Sequence, residues 1–420
     1  MSNCFFNQLD SFCQARRVEN YNSLDMRPLM MGRPPRRHWR IPRDTHVTVL
    51  SNRPAAEDWY KTIVVTDLTD IELALTALHR SGEVSFDVAY CDYEPAMIST
   101  AVLARALGCA IAVDDRLAVL GRDKYLQKRR IAAAGIPVTD FELVPAEPRQ
   151  RLRYRPDFGY PAILKPTLGF GGRDVRQAHS EQELRAAISA ISDSVPYMCE
   201  RFITGSELHI DAIIYRSEIA FLSVGSYLTN VIDMNVPKPT GSVILPGIGY
   251  ERLYDACEHL LRRVLKAIGH SRGVVHMEAF DTSNGLVFSE IALRRGGSKI
   301  AEAIELASGA DLRELSFLAS IGCLPDLPVS RPSELIGWFL VPAGPGRLKT
   351  LPEPGDFTGV QGVRAIDFDR DLIGEVLGKP GSRLDAIGYC AISGTSLAAV
   401  LETIGVMFGR AMGRIEYSSV

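Results

Sequence analysis

Short apolar runs alternate with amphipathic segments between residues 46 and 115, and this alternation predicts a small α/β unit. Apolar residues at helical spacing predict a helix over Asp70–His79, and a proline in the first turn marks a second helix, Pro95–Leu107. Strands that alternate with helices favour a mostly parallel sheet covered by helices. The predicted strands are His46–Leu50, Thr62–Thr66, Phe86–Cys91 and Ala110–Val113.

The remainder of the chain combines helices with hairpin patterns. A basic helix is predicted over Asp115–Ala134 and an amphipathic helix over Glu251–Ile268. Pro, Gly and Asn concentrate in 226–248, which predicts a long loop, and 333–420 is predicted to form a separate unit. The predicted hairpins pair Ile210–Ile214 with Ile219–Ser223 and Val274–Phe280 with Leu286–Ala292. The pattern as a whole predicts a multi-domain protein of the α/β and α+β classes.

Residues 1–45 differ in composition from the rest. The segment Arg33–Arg43 mixes prolines with arginines and has no helical or alternating period. A nucleic-acid-binding arm and a solvated N-terminal extension both fit this composition, and we favour the extension.

Composition narrows the class of protein. The chain has 420 residues, of which 46% are hydrophobic and 23% charged, as is typical of a soluble protein with several domains. A net charge of −3 gives no general reason to bind nucleic acid or an anionic membrane. The eight cysteines include no Cys-x-x-Cys pair, and the first ten residues lack signal-peptide features, so we expect reduced thiols and a cytoplasmic location.

The second predicted hairpin carries the most informative polar residues. Symmetrical pairing about its turn places Glu278 opposite Glu290 and His276 opposite Ala292, all on one face that Arg294 extends. Two opposed carboxylates repel each other, and a divalent cation that accepts oxygen ligands, such as Mg²⁺, removes this repulsion. The alternative is an exposed hairpin whose carboxylates are in water.

A lysine at the end of a strand precedes a glycine-rich turn in AILKPTLGFGGRDV. Gly169, Gly171 and Gly172 would let backbone amides approach a phosphate, and Lys165 would add a positive charge. The spacing matches neither a Walker loop nor a dinucleotide fingerprint, and a plain hairpin turn is the alternative.

A third group lies in YMCERFITGSELHID, where Glu200, Ile203 and Glu207 follow one another along a strand and the turn after it. An apolar strand edge with exposed backbone groups can hold a purine, and spaced carboxylates can bind its amino group and a ribose. We interpret His209 in this segment as structural.

Taken in order, these pieces resemble the ATP-grasp superfamily. The stretch DKYLQKRRIAAAGIPV, which contains Lys124, resembles its entry helix, YPAILKP with GFGG its phosphate-covering loop, and HMEAF with FSEIALRRGG its metal-binding hairpin. Glu290, Ala292, Arg294 and Gly297 resemble the pattern of the branch that contains L-amino-acid ligases and carnosine-synthase-like enzymes. Ala292 stands where many other ATP-grasp enzymes have asparagine, so one usual metal ligand is missing.

The resemblance implies an ATP-grasp fold preceded by a small parallel-sheet domain and followed by an α+β domain. The implied boundaries are 1–45 for the extension, 46–120 for the first domain, 121–204 and 205–325 for the two ATP-grasp subdomains, and 333–420 for the C-terminal domain.

The resemblance also implies a reaction. A small carboxylate such as an amino acid is activated by ATP as an acyl phosphate and joined to an amine, with release of ADP and phosphate. Mg²⁺, or Mn²⁺, would assist. The implied roles are phosphate binding for Lys124, Lys165 and the loop with Gly169, Gly171 and Gly172; adenine binding for the side chain or the backbone carbonyl of Glu200 together with the amide of Ile203; ribose binding for Glu207; metal binding for Glu278 and Glu290; charge stabilisation for Arg294; and substrate orientation or simple packing for His276.

Two alternatives remain open at this point. The acceptor could be a thiol, such as the phosphopantetheine arm of a carrier protein, or the chain could bind ATP without turnover. Neither nucleic acid nor a membrane is an expected partner, and a homodimer is the default oligomeric state.

Overall fold

The computed structural model describes residues 25–54, 59–169, 172–191, 195–230, 238–324, 331–378 and 385–419, and these form four sheets with helices around them. The multi-domain α/β prediction is confirmed. The helices are α1 (Ile71–Ser81), α2 (Met97–Leu107), α3 (Asp115–Arg122), α4 (Lys124–Ala133), α5 (Pro148–Arg151), α6 (Glu181–Ser189), α7 (Glu251–Ile268), α8 (Ile300–Ser308), α9 (Leu312–Ser320) and α10 (Leu397–Met412).

The first sheet is parallel throughout and has five strands in the order β3-β2-β1-β4-β5. Its strands are β1 (Pro28–Met31), β2 (Thr48–Ser51), β3 (Lys61–Val64), β4 (Val88–Cys91) and β5 (Ala110–Ile111). The four strands that the sequence predicts between 46 and 115 are all present, and a fifth strand lies in their middle.

That central strand, β1, overturns part of the extension proposed for residues 1–45. All four residues of β1 are buried. The arginine-rich segment behind it is also fixed, because Trp39 Nε1 donates to Asp311 Oδ2 at 3.0 Å and Arg40 pairs with Glu314 at 2.9 Å. A four-residue strand that begins at Pro28 and ends before Gly32 is too short to show a period in the sequence, so only the tertiary contacts reveal it.

The second sheet is antiparallel, with the strand order β6-β9-β7-β8. Its strands are β6 (Phe141–Leu143), β7 (Ala162–Pro166), β8 (Arg176–Ala178) and β9 (Tyr197–Arg201).

The third sheet is the largest, with eight antiparallel strands in the order β14-β13-β10-β11-β12-β15-β19-β17. A small fourth sheet, β18-β16-β20, lies beyond it. The strands of both are β10 (Ser206–Tyr215), β11 (Glu218–Tyr227), β12 (Thr240–Leu245), β13 (Gly273–Thr282), β14 (Gly285–Ala292), β15 (Leu335–Pro342), β16 (Gly346–Thr350), β17 (Val363–Phe368), β18 (Val376–Leu377), β19 (Ala386–Gly394) and β20 (Glu416–Ser418).

The large sheet corrects two predictions. Strand β12 lies within 226–248, which we predicted to be a loop. It pairs with β15, so β15, β19 and β17 of the predicted C-terminal unit continue the same sheet and do not form a separate one. Alternation of apolar and polar residues predicts a strand but does not say which sheet the strand joins.

Helices cover both faces of the large sheet. The amphipathic helix α7 packs on one face, where Tyr254 and Val264 are fully buried beside Met277. Helices α8 and α9 pack on the other face, where Ile304 and Phe317 are fully buried. In the described chain, no helix has the length and apolar character needed to cross a membrane.

The predicted basic helix Asp115–Ala134 is two helices, α3 and α4. Asp123 has an extended backbone, and its side chain accepts the Leu126 N–H at 2.9 Å, so it ends α3 and caps α4. This break places Lys124 at the first residue of α4, where its backbone N–H donates to the Thr167 carbonyl at 2.9 Å.

Candidate functional site

A cavity lies between the second sheet and the hairpin β13–β14. Apolar side chains from both sides, including Ile163, Phe202 and Val287, form part of its wall. Nine of the twelve predicted site residues line it: Lys124, Lys165, Gly169, Gly172, Glu200, Ile203, Glu207, Glu278 and Glu290. Gly171 lies outside the described residues, and Arg294 and His276 do not line the cavity.

The predicted register of the hairpin is confirmed. Glu278 pairs with Glu290 and His276 pairs with Ala292, and a bulge follows Glu278 on the side of the turn. The two carboxylates therefore border one cavity from directly opposite positions.

Each of these carboxylates has a neutral or cationic neighbour. The Tyr227 hydroxyl donates to Glu278 Oε1 at 2.7 Å, and Lys124 Nζ lies 2.8 Å from Glu290 Oε2. Two carboxylates on a cavity wall supply the oxygen ligands that Mg²⁺ prefers, so the residues present fit a divalent cation. Ala292 offers no ligand atom.

Two buried lysines flank one buried carboxylate on the opposite wall. Glu200 Oε1 lies 2.9 Å from Lys165 Nζ and 3.3 Å from Lys128 Nζ. Burial alone would raise the pKa of Glu200, but the two lysines outweigh it and lower this pKa below its ordinary value. The Glu200 side chain therefore pairs with lysines, which argues against its contact with adenine, and of the two predicted contacts the backbone carbonyl of Glu200 stays a prediction.

The two lysines differ in their electrostatics. Burial lowers the pKa of Lys128 to about 8, although Glu200 opposes this shift. Burial also lowers the pKa of Lys165, but Glu200 and Glu290 outweigh burial, and the net shift is upward. Lys165 is thus a firmly charged ammonium group on the cavity wall.

The glycine-rich turn lies beside the first of the predicted lysines. Lys124 Nζ donates to the Gly169 carbonyl at 3.2 Å, so one ammonium group contacts both the turn and Glu290. Gly172 has a φ of 70°, a conformation that glycine adopts without strain.

Glu207 lies at another edge of the cavity and is 4% exposed. Its backbone N–H donates to Asn230 Oδ1 at 3.2 Å, and Asn230 Nδ2 donates to the Gly205 carbonyl at 3.1 Å. Asn230 therefore fixes the turn that precedes β10, and it also lines the cavity.

Arg294 does not extend the face of the hairpin as predicted, because β14 ends at Ala292. Arg294 Nε instead donates to Glu94 Oε2 at 2.8 Å, and Arg122 pairs with the other oxygen of Glu94. Burial alone would raise the pKa of Glu94, but the two arginines lower it below its ordinary value. Burial alone would lower the pKa of Arg294, but Glu94 outweighs burial and raises this pKa, and Glu290 and Glu278 contribute in the same direction.

His276 lies in a buried chain of polar groups behind the hairpin. Its Nδ1 is 2.9 Å from Asp211 Oδ1, and its Nε2 is 3.5 Å from Glu278 Oε1. The other Asp211 oxygen is 2.7 Å from His209 Nδ1, and His209 Nε2 is 2.8 Å from the Ser242 hydroxyl. His276 is thus a support of Glu278 and not a wall of the cavity.

This chain of groups contributes to stability, which Asp211→Asn tests. Burial alone would lower the pKa of His276, but Asp211 and Glu278 outweigh it and raise this pKa to about 10 from 6.5. Asp211→Asn leaves a buried imidazolium without its main carboxylate partner, so we expect the free energy of unfolding to fall by about 3–5 kcal/mol at pH 7. Urea unfolding monitored by circular dichroism measures this.

The pH dependence of the free energy of unfolding tests whether the ion pair between His276 and Asp211 causes this loss of stability. A raised histidine pKa adds stability that is fully present below pH 6.5 and is lost as pH rises through about 10. The difference in the free energy of unfolding between wild type and Asp211→Asn should therefore narrow between about pH 6.5 and pH 10 and be small above pH 10. Asp281→Asn, at an exposed carboxylate of the same hairpin, is the control and should change stability by less than about 0.5 kcal/mol. A difference that is constant between pH 7 and 10.5 would contradict the ion-pair account.

Sequence reasoning missed several residues of the site. Lys128 had a signal, because residues four apart on a helix share a face and Lys124 was already a candidate. Glu94, Arg122, Tyr227, Asn230 and Asp211 had none, since each reaches the site only through tertiary contacts.

The sequence of the chain is similar to those of known proteins. No protein-family model matches the chain. The chain is 26% identical over 318 residues to an L-arginine-specific L-amino acid ligase of Bacillus subtilis, covering 72% of this chain and 74% of that one. It is 26% identical over 219 residues to a D-alanine–D-alanine ligase of Mycobacterium avium, covering 46% of this chain and 57% of that one.

The fold also matches a solved structure. The crystal structure of an L-amino acid ligase from Bacillus licheniformis superposes with a TM-score of 0.73 at 19% sequence identity, covering 94% of this chain and 99% of that one. At this level of identity the likeness establishes a shared fold.

Proposed function

Because the chain belongs to the ATP-grasp superfamily, we propose that it is an ATP-dependent carboxylate–amine ligase that joins small amino acids. One observation carries the proposal beyond homology. The opposed carboxylates Glu278 and Glu290 border the same cavity as the cations Lys124, which is partly buried, and Lys165, which is buried. Phosphoryl transfer depends on positioning and charge neutralisation, and these residues supply both.

The proposed reaction has two steps. A carboxylate oxygen of the first substrate attacks the γ-phosphorus of ATP, the bond from that phosphorus to the bridging oxygen breaks, and ADP leaves. The amine nitrogen of the second substrate then attacks the acyl carbon, the bond from this carbon to the phosphate oxygen breaks, and phosphate leaves. The nitrogen loses a proton, and an amide remains.

The lysines are proposed to hold the nucleotide phosphates. Lys165 is buried and charged, and the ammonium group of Lys124 contacts both the Gly169 carbonyl and the Glu290 carboxylate. Charge-assisted hydrogen bonds of this kind are about twice as strong as neutral ones. Lys128 and Lys165 both pair with Glu200, so Lys128 is proposed to orient Lys165 through this shared carboxylate.

Glu278 and Glu290 are proposed to hold Mg²⁺, which when bound neutralises negative charge on the phosphates. The Tyr227 hydroxyl and His276 Nε2 both contact Glu278, and these contacts fix the position of its carboxylate. Arg294, fixed by Glu94, is proposed to stabilise the charge on the transferring phosphoryl group.

The nucleoside end of ATP is proposed to lie where the cavity is apolar. Ile163, Phe202 and Val287 can contact a planar base, and the backbone near Ile203 can donate to it. Glu207, at the edge of the same cavity, is proposed to bind the ribose.

Release of ADP tests the proposal. The purified chain is mixed with Mg²⁺ and ATP and with pools of amino acids, and ADP and phosphate are measured for each pool. We expect release only when a carboxylate substrate and an amine substrate are both present, and mass spectrometry should find a dipeptide. Tight ATP binding without release in any pool would contradict the proposal.

The Lys165→Ala variant tests the phosphate-binding role. Loss of one charge-assisted hydrogen bond should raise the KM for ATP by about ten- to a hundredfold. Steady-state kinetics at saturating amino acid measures this. Lys266→Ala removes an exposed lysine of α7 and is the control. An unchanged KM for ATP in Lys165→Ala would contradict the assignment.

A cytoplasmic location is part of the proposal. The six cysteines in the described chain are unpaired and mostly buried. Thiols persist in this form in a reducing compartment.

A further inference from the structure

Buried polar side chains form a row across the large sheet, from β15 to the hairpin β13–β14. In this sheet β13 is followed by β10, β11, β12 and β15. Ser242 of β12 lies opposite Trp338 of β15, and its hydroxyl accepts the Trp338 Nε1–H at 2.7 Å. The same hydroxyl is 2.8 Å from Nε2 of His209, which belongs to β10. Strand β11 lies between β10 and β12, so the His209 ring reaches over a whole strand to make this contact.

A glycine of β11 leaves the space for this contact. Gly225 lies opposite His209, and a Cβ atom at residue 225 would be 2.2 Å from His209 Nε2. Carbon and nitrogen atoms that are not bonded do not approach so closely, so any side chain at this position would displace the imidazole ring. Gly225 lies inside a strand and has no positive φ, so it is needed for space and not for a special backbone conformation.

The hydrogen bonds of the row have one direction. An indole N–H can only donate, so Ser242 accepts from Trp338 and donates its own hydrogen to His209 Nε2. His209 then carries its hydrogen on Nδ1 and donates it to Asp211 Oδ2 at 2.7 Å. The other oxygen of Asp211 accepts from His276 Nδ1 at 2.9 Å. Each group in the row therefore fixes the orientation of the next.

The row ends at Glu278, a carboxylate on the wall of the cavity. His276 Nε2 is 3.5 Å from Glu278 Oε1, and the Tyr227 hydroxyl donates to the same oxygen at 2.7 Å. Tyr227 lies opposite Ser242 in the sheet, and the centre of its ring is 5.1 Å from that of the His209 ring. Both groups that contact Glu278 therefore have the row as their neighbour.

Close packing holds the row in place. His209, Asp211 and Ser242 are fully buried, so water does not replace a partner that is lost. Gly296, which follows the hairpin, packs so tightly that a Cβ atom there would be 2.9 Å from Asp211 Oδ1 and 3.1 Å from His276 Nδ1. A shift of one ring is passed to its neighbours, because a close-packed interior has no free space to absorb it.

We infer that the proposed metal ligand Glu278 is positioned by residues behind the cavity, namely His209, Ser242 and Trp338. None of these three lines the cavity, and they act through the hydrogen-bonded groups between them and the carboxylate. The inference rests on the proposed function, because it takes Glu278 as a ligand of Mg²⁺. Groups that hold a metal ligand commonly change metal affinity or activity by about 10- to 100-fold. Strands β12 and β15 thereby contribute to the reaction from outside the cavity.

Gly225→Ala tests the inference without removing a polar group of the row. The added methyl group displaces the His209 ring, so the affinity for Mn²⁺ should fall by about tenfold. Electron paramagnetic resonance measures this affinity on the full chain, with and without a non-hydrolysable ATP analogue, after circular dichroism has confirmed folding. Ser226→Ala is the control, because the side chain of this next residue of β11 points to the opposite face, and it should bind Mn²⁺ like wild type.

A double variant tests whether Gly225 acts through the ring. His209→Leu should lower the affinity for Mn²⁺ about as much as Gly225→Ala, and the two changes together should lower it no further. Ser242→Ala and Trp338→Phe, which keep most of the packing, should each lower it by about threefold. Additive losses in the double variant, or wild-type affinity in the four single variants, would overturn the inference.

Kinetics separates positioning from loss of structure and from the ligase proposal. ADP release is measured against the concentration of free Mg²⁺. In Gly225→Ala the concentration that gives half the maximal rate should rise about tenfold while the maximal rate stays near that of wild type. A lower maximal rate at an unchanged half-maximal concentration would show a structural role and overturn the inference. Mn²⁺ binding that depends on His209, without ADP release by wild type in any pool, would instead support the inference and overturn the ligase proposal.

Discussion

Glu290→Gln is expected to reduce ADP formation at least about a thousandfold, because a neutral amide replaces one of two opposed carboxylate ligands. The rest of the site should persist. Glu290 is partly exposed, and within the described part of the chain its ion pair is with Lys124, which is itself partly exposed and also donates to the Gly169 carbonyl. Measurement of ADP release at saturating ATP and amino acids, with circular dichroism to confirm folding, checks both parts.

The structure offers a matched control for this variant. Glu251→Gln alters a carboxylate outside the cavity that accepts the Gly249 N–H at 2.9 Å, and its activity should equal that of wild type. The affinity of the site for Mn²⁺, followed by electron paramagnetic resonance, should fall in Glu290→Gln and not in Glu251→Gln. Near-normal turnover in Glu290→Gln would contradict the metal assignment.

The hairpin illustrates what local pattern can predict. A tight turn flanked by alternating residues fixes the register of a hairpin, and the register alone places Glu278 opposite Glu290. Local patterns of strands and turns also predicted that Lys165 lies at the end of a strand and that Glu207 follows a turn. Each of these residues owes its place to contacts within one sheet or one turn.

Other parts of the site depend on long-range contacts that a single sequence does not reveal. Arg294 was expected on the face of the hairpin, yet Glu94 of the first domain binds it across 200 positions of the chain. The side chain or the backbone carbonyl of Glu200 was expected to contact adenine, and two lysines surround the side chain. A charged residue in a sequence shows that a partner is needed but not which element provides it.

The same limit explains why the sheets differ from the predicted ones at two places. Strand β1 is the centre of a sheet although it lies in a segment rich in proline and arginine, and β15 continues a sheet that seemed complete before residue 325. Pairing of strands across long separations is decided by buried surface and by hydrogen bonding of edges. Neither is visible in the period of a short apolar run.

Glu94→Gln is expected to lower kcat by about a hundredfold while the KM for ATP changes little. Glu94 holds both Arg294 and Arg122, and its carboxylate balances two largely buried guanidinium groups. With a neutral amide in its place the two arginines repel each other, and Arg294 leaves the position in which Glu94 holds it. Displacement of a positioned group by about 1 Å can reduce a rate by this factor.

Rescue distinguishes positioning from loss of structure. Glu94→Asp keeps the charge and should recover part of kcat, whereas Glu94→Gln should not. Glu83→Gln removes a carboxylate that pairs with Arg27 and Lys61 at the surface of the same domain, and it should leave kcat unchanged. Equal loss of kcat in Glu94→Asp and Glu94→Gln, with both variants folded, would show that the charge of Glu94 is not what positions Arg294. A fall in kcat that Glu94→Asp reverses would instead show that the first domain contributes to the active site, because Glu94, which follows β4, orients Arg294, which follows the hairpin.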